Sequence, residues 1–111
     1  MAGVATRVYD VKAVRGDKFV HDITVKNSDG TTKDVSAATA VKYTVKDRYG
    51  GTAKLSYTLG SGTSVVGAVI SISIDTSTLT ATTYVYDCEV TLGGQIITVQ
   101  KGDFILELDV S

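Results

Sequence analysis

Apolar and polar residues alternate along most of this chain, most clearly in its last quarter. Tyr84, Tyr86, Cys88, Val90 and Leu92 alternate with Val85, Asp87, Glu89 and Thr91. A period of two places these sets on opposite sides of an extended strand. Gly93-Gly94 follows, a pair that accepts the positive φ angles of a tight two-residue turn. Beyond it runs Q-I-I-T-V-Q-K-G-D-F-I-L-E-L-D, residues 95–109. The pattern predicts a long antiparallel hairpin with one buried face.

The rest of the chain repeats this grammar. A first strand is predicted over Arg7 to Val14, ended by Gly16-Asp17. Lys18 to Lys26 follows, with Phe19, His21, Ile23 and Val25 inward. Asn27-Ser28-Asp29-Gly30 reads as a turn, then a short extended piece to Val35 and one helical turn capped by Ser36. Ala40 to Asp47 places Val41, Tyr43 and Val45 inward. After Gly50-Gly51, Thr52 to Thr58 places Ala53, Leu55 and Tyr57 inward. Residues 60–64 read as a flexible loop, and Gly67 to Ile74 as a strand with Ile70, Ile72 and Ile74 inward. The polar connection from Asp75 to Ala81 has room for one helical turn. The inward parity then changes, from odd at Ile97 and Val99 to even at Phe104, Leu106 and Leu108. One residue must be inserted between them, and Gly102 is the expected bulge. About seven short strands with glycine turns describe an antiparallel sandwich or barrel, one domain over residues 1–111.

Composition sharpens this picture. Sixteen Val and sixteen Thr favour strands, and proline is absent, so Gly, Asn, Asp and Ser must make the turns. The formal net charge of −1 lacks the basic excess of a phosphate-binding surface, so no nucleic-acid partner is expected. No run is long enough to span a bilayer, and the N-terminus lacks the build of a secretory leader. Synthesis in a reducing cytosol is therefore expected. Cys88, the only cysteine, excludes an internal disulfide.

Candidate chemistry is sparse. Arg15-Gly16-Asp17 matches the integrin tripeptide, but it is also ordinary turn chemistry before a strand. His21 is the single histidine, and with one cysteine the chain lacks a zinc ligand set. A packed, hydrogen-bonded histidine at the sheet edge is expected instead. Cys88 falls on an apolar face, the place of a buried hydrophobe rather than a nucleophile. Tyr86-Asp87-Cys88 has the Tyr-x-Cys form of immunoglobulin domains without the second cysteine or the tryptophan, and leaves a tyrosine corner open for Tyr84 or Tyr86. Asn27, Asp29 and Gly30 begin like a calcium loop, but Ala38 stands where its glutamate belongs. Asp87 and Glu89 share one outer face, as solvated carboxylates do. No nucleophile–base pair, cofactor motif or metal set is present, so no enzyme is expected. Val20, Val85, Ile96 and Ile105 point away from the inferred core. Clustered, they would form an apolar docking patch; scattered, they are ordinary.

The order of several segments resembles a family of small β-sandwich proteins of tailed bacteriophages, similar to the N-terminal domain of baseplate upper proteins. The carrying elements are Arg15-Gly16-Asp17-Lys18-Phe19, the Asp29-Gly30 turn, D-V-S-A-A-T leading into V-K-Y-T-V-K-D over residues 34–47, the Leu79 to Asp87 block, and Lys101 to Phe104 after Gly-Gly. Thr82 stands where the family pattern has glycine, and no coiled coil or receptor-binding domain follows within these residues. The resemblance implies an immunoglobulin-like sandwich in a virion, with no catalytic residue or cofactor to carry over. The expected function is structural: a tail or baseplate subunit that docks repeatedly, as a homo-oligomer, on other virion proteins. A capsid decoration protein is the structural alternative. A carbohydrate-binding module is the alternative of another class, with Tyr49, Tyr57, Asp47 and Arg48 as its contact face.

Overall fold

The structure is a computed structural model that describes residues 7–16 and 18–107. Nine strands form in chain order: β1 (Arg7–Val8), β2 (Val11–Val14), β3 (Lys18–Thr24), β4 (Ala40–Lys46), β5 (Ala53–Leu59), β6 (Gly62–Val66), β7 (Val69–Asp75), β8 (Thr83–Leu92) and β9 (Gln95–Glu107). No helix occurs among the described residues. The strands make one mixed sheet in the order β1-β9-β8-β4-β5-β6-β7-β3, with β2 also on β9, curled into a half-barrel.

Two expectations about the sheet are corrected. It is mixed rather than wholly antiparallel: β1 and β2 run parallel to β9, and β5 and β6 pair in parallel at Thr58–Leu59. There are also more strands than seven. The first strand breaks at Tyr9-Asp10, yet both pieces keep one register on β9, Arg7 opposite Gln100 and Val11 opposite Phe104. They therefore share a single lane, giving eight lanes in all. Residues 60–64 are not a flexible loop, because β6 begins at Gly62. Its Thr63, Val65 and Val66 are β-branched and pair antiparallel with β7 through a turn at Gly67.

The alternation holds where the strands are central. Val41, Tyr43 and Val45 of β4, Ile70, Ile72 and Ile74 of β7, and Tyr84, Tyr86, Cys88 and Val90 of β8 are all buried on the concave side. Each fully buried isoleucine contributes about 1.5–3 kcal/mol relative to an exposed one. On β3, His21 and Ile23 are buried, as is Val25 just beyond it. The Phe19 side chain and Leu108 lie outside the described residues. Leu55 and Tyr57 pack half-buried against the core, but Ala53 is exposed, not inward. A register shift after Val45 sets Ala53 opposite outward-facing Lys46.

Connections follow side-chain chemistry. Gly93 and Gly94, at φ 60° and 80°, close the β8–β9 hairpin, as its turn type requires. The predicted helical turns are single hydrogen-bonded turns, closed by the Ala38 N–H on the Val35 carbonyl and the Leu79 N–H on the Thr76 carbonyl, both at 3.0 Å. Asp34 accepts from the Ser36 N–H at 2.8 Å, so Asp34, not Ser36, ties that turn. Asp75 likewise accepts from the Ser77 N–H at 3.0 Å.

The register change in β9 is real but lies elsewhere than expected. Cys88 pairs with Gln100 and Glu89 with Thr98, so Val99 is the inserted residue. Val99 and Gln100 are both buried in consequence. Among the described residues no non-glycine residue has a positive φ, so this bulge needs no glycine. Gly102 serves a different need, because a Cβ there would collide with the Tyr9 carbonyl of the neighbouring lane.

Candidate functional site

The concave side holds a polar chain within the apolar core. His21 on β3, Tyr43 on β4, Tyr86 on β8 and Gln100 on β9 are all buried. The Gln100 amide Nε2 donates to the Tyr86 hydroxyl at 2.9 Å and lies 3.1 Å from His21 Nε2. Both amide hydrogens are then committed, so His21 Nε2 accepts and its Nδ1–H donates to the Tyr43 hydroxyl at 3.0 Å. Tyr86 in turn donates to the Tyr9 carbonyl at 2.6 Å. The Tyr43 and Tyr86 rings stack at 5.3 Å, with the His21 ring edge-on to both.

Burial holds His21 neutral by lowering its pKa from 6.5, against a smaller opposite effect of the Asp22 charge. The same desolvation raises the Tyr43 hydroxyl well above its usual range and pushes Tyr86 up to about 12. This is a structural network with satisfied partners, and the expected packed histidine is what the fold contains. Gln100 escaped the sequence reading because the insertion at Val99 turns it inward. The signal was present, as a lone amide beside the parity change.

The remaining candidates fall into place singly. Burial, with the charges of Asp87 and Glu89, pushes the Cys88 thiol up to about 12, the setting of an inert buried thiol. Arg15 is spent on the fold: its Nε–H donates to the Leu79 carbonyl at 2.5 Å, and the Gly16 N–H donates to Thr76 Oγ1 at 3.1 Å. Asp17 of the same tripeptide lies outside the described residues. Asp29 accepts from the Thr31 N–H at 3.0 Å and from its hydroxyl, and Gly30 N–H donates to the Asn27 carbonyl at 2.9 Å, a turn stabilised from within. The tyrosine corner belongs to Tyr84, whose hydroxyl donates to the Thr80 carbonyl at 2.7 Å, four residues upstream.

The four outward apolar residues do not form one patch. Val20 is 58 % exposed on β3, the strand at one margin of the sheet, and Ile96 is 70 % exposed just past the Gly93-Gly94 turn. Val85 and Ile105 are half-buried. These two are diagonal neighbours, since Val85 pairs with Asp103 and Ile105 with Thr83. Ile96 pairs with Thr91, six residues along β8 from Val85, or roughly 20 Å.

The Tyr49 and Tyr57 pair is likewise separated. Tyr57 packs on the concave side, its hydroxyl accepting from the Asp75 N–H at 3.1 Å. Tyr49 lies over the convex side, against Thr44, Val85 and Asp87. Its hydroxyl approaches the Gly102 carbonyl at 3.5 Å. Desolvation, then the carboxylates of Asp103, Asp87 and Asp10, raise its pKa.

Compared with protein-family models, curated proteins and solved structures, the chain gives no match. Among the described residues no three His, Cys, Asp or Glu side chains converge on a point that could hold a metal ion. No helix there is long and apolar enough to cross a membrane.

Proposed function

We propose that this chain is a structural subunit of a tailed-bacteriophage particle, in the tail or baseplate. It works by repeated docking of copies on one another and on neighbouring virion proteins, without catalysis or cofactor. It is made in the host cytoplasm and resides in the virion, with no nucleic-acid or membrane partner. The observation that carries this reading is the unclosed sheet. Among the described residues β3 pairs only with β7, and the β1/β2 lane only with β9. Open margins present unpaired backbone groups, a hazard in a free monomer that assembly removes. Val20 adds an exposed apolar side chain at the β3 margin. Contacts that are individually weak hold when repeated around a symmetric particle.

In this proposal the curled sheet is an immunoglobulin-like sandwich. The β1/β2 lane, β9, β8, β4 and β5 form one layer, and β6, β7 and β3 the other. The Tyr84 corner and the central place of β7 between β6 and β3 favour that layout. The resemblance of residues 14–104 to phage sandwich proteins supports the setting.

Sedimentation of the purified chain and density for the intact particle test the proposal together. Concentration-dependent association, weakened by Val20→Lys, and density for this sandwich in the tail or baseplate are expected. Density at capsomer junctions would make it a decoration protein instead. A chain that stays monomeric and never co-sediments with particles overturns the proposal.

A further inference from the structure

The convex side carries a feature that docking does not use. Tyr49, Val8, Asp87, Thr98 and Lys101 line an open hollow of about 510 Å³. Tyr49 is 59 % exposed and Val8 69 % exposed. Asp87 and Lys101 are direct cross-strand partners on β8 and β9, so an acceptor and a donor stand side by side, about 5 Å apart at their Cβ atoms. Thr98 and Val8 come from β9 and β1 at either side.

The aromatic ring is held in place rather than dangling. The loop between β4 and β5 is closed by Thr52 N–H donating to Asp47 Oδ1 at 3.2 Å and by Gly51 N–H donating to the Arg48 carbonyl at 2.9 Å. A Cβ at residue 51 would collide with the Asp47 carboxylate, so glycine is needed for that closure. The other lining residues sit on paired strands. A ligand would therefore meet a surface already in shape, which limits the ordering cost of binding.

From this placement we propose that the hollow binds a neutral saccharide. Within the lining one acid and one amine stand as a pair, with the Asp103 and Asp10 charges reaching Tyr49 from outside it, an arrangement that offers hydroxyls both an acceptor and a donor. An exposed aromatic face suits the C–H face of a pyranose ring. Beside it, Asp87 accepts from ring hydroxyls and Lys101 donates to them. An apolar platform with mixed donors and acceptors at its rim is what a sugar ring requires, and what a purely apolar docking strand would leave unsatisfied. Val8 belongs to the β1 margin, but Tyr49, Asp87, Thr98 and Lys101 come from the β4–β5 loop, β8 and β9, so the site and docking at the β3 margin can fail separately.

Amide chemical shifts of the full chain test this, recorded with methyl glucoside, methyl galactoside, N-acetylglucosamine, lactose and maltose at concentrations on the order of 10 mM. At least one of these sugars is expected to shift Tyr49, Asp87, Thr98 and Lys101 while leaving core residues such as Val41 and Val90 unmoved. Tyr49→Ala should weaken that binding by at least about tenfold, and Asp87→Asn by several-fold. Tyr49→Phe keeps the ring face and should retain binding. Core shifts that match the wild type show that each variant is folded. The proposal is overturned if no sugar moves these resonances, if Tyr49→Ala binds undiminished, or if the hollow responds only to another virion protein.

Discussion

Replacing Gln100 by leucine tests the reading of the buried polar chain. The change removes two donated hydrogen bonds, to His21 Nε2 and to the Tyr86 hydroxyl. Tyr86 keeps its donation to the Tyr9 carbonyl, so its loss is small, about 0.5–1.5 kcal/mol. His21 Nε2 fares worse: it becomes a buried acceptor with no donor, at about 1–3 kcal/mol. The larger apolar side chain returns about 1 kcal/mol through burial. The net expectation is about 2 kcal/mol of destabilisation, read as a lower urea midpoint with an unchanged slope.

The same network sets a pH dependence. His21 titrates lower in the folded protein than its ordinary 6.5. Below that value the unfolded chain binds the proton more readily, so the stability from neutral His21 is complete above about pH 6.5 and declines as pH falls through it. Asp29, Asp34 and Asp75 are held below their ordinary 3.8 by hydrogen bonds from Thr31, Ser36 and Ser77, so they titrate beneath this window. Urea unfolding from about pH 8 to about pH 5 should show a decline in the wild type that His21→Asn lacks. A loss below about 0.5 kcal/mol for Gln100→Leu, or a wild type equally stable across that range, would refute the assignment of donors and acceptors.

Other substitutions probe the frame around it. Tyr84→Phe removes the bond to the Thr80 carbonyl and should cost about 0.5–1.5 kcal/mol, measured by thermal or urea unfolding. Gly102→Ala pushes a methyl group into the Tyr9 carbonyl and should cost about 1–3 kcal/mol, with faster hydrogen exchange of the Tyr9 N–H, which donates to the Lys101 carbonyl at 2.8 Å. Cys88 should resist a thiol reagent at about pH 8 in the folded protein and react once urea unfolds it.

What the residues revealed in advance follows from where local pattern decides. Val41 to Val45, Ile70 to Ile74 and Tyr84 to Val90 lie in strands with neighbours on both sides, so alternation there reports burial directly. Gly93-Gly94 was legible because its turn has a specific dihedral demand. The parity change in β9 was visible too, but its location was not. A bulge without positive φ leaves no glycine, and Gly102 answers to the chain beside it. Parallel pairing of β1 and β2 with β9 joins residues more than ninety positions apart, as does their common register across Tyr9-Asp10. No local window contains that information. The hollow on the convex side was half visible: Tyr49 was legible as a contact aromatic, grouped with Tyr57, Asp47 and Arg48. Its companions Asp87, Thr98 and Lys101 are set by cross-strand register, and Tyr57 is turned to the other side.

The first and last strands of this sheet lie side by side and point the same way. Tension applied through Arg7 and Glu107 therefore pulls at opposite ends of the shared seam. Its rungs are loaded in shear and must give way together, rather than opening one by one like a zipper. Rupture under load is governed by the unfolding barrier, not by equilibrium stability. Single-molecule stretching should accordingly find higher breaking forces along this axis than along one that peels β9 from β8. A component built this way withstands stress along its length even when its overall stability is ordinary.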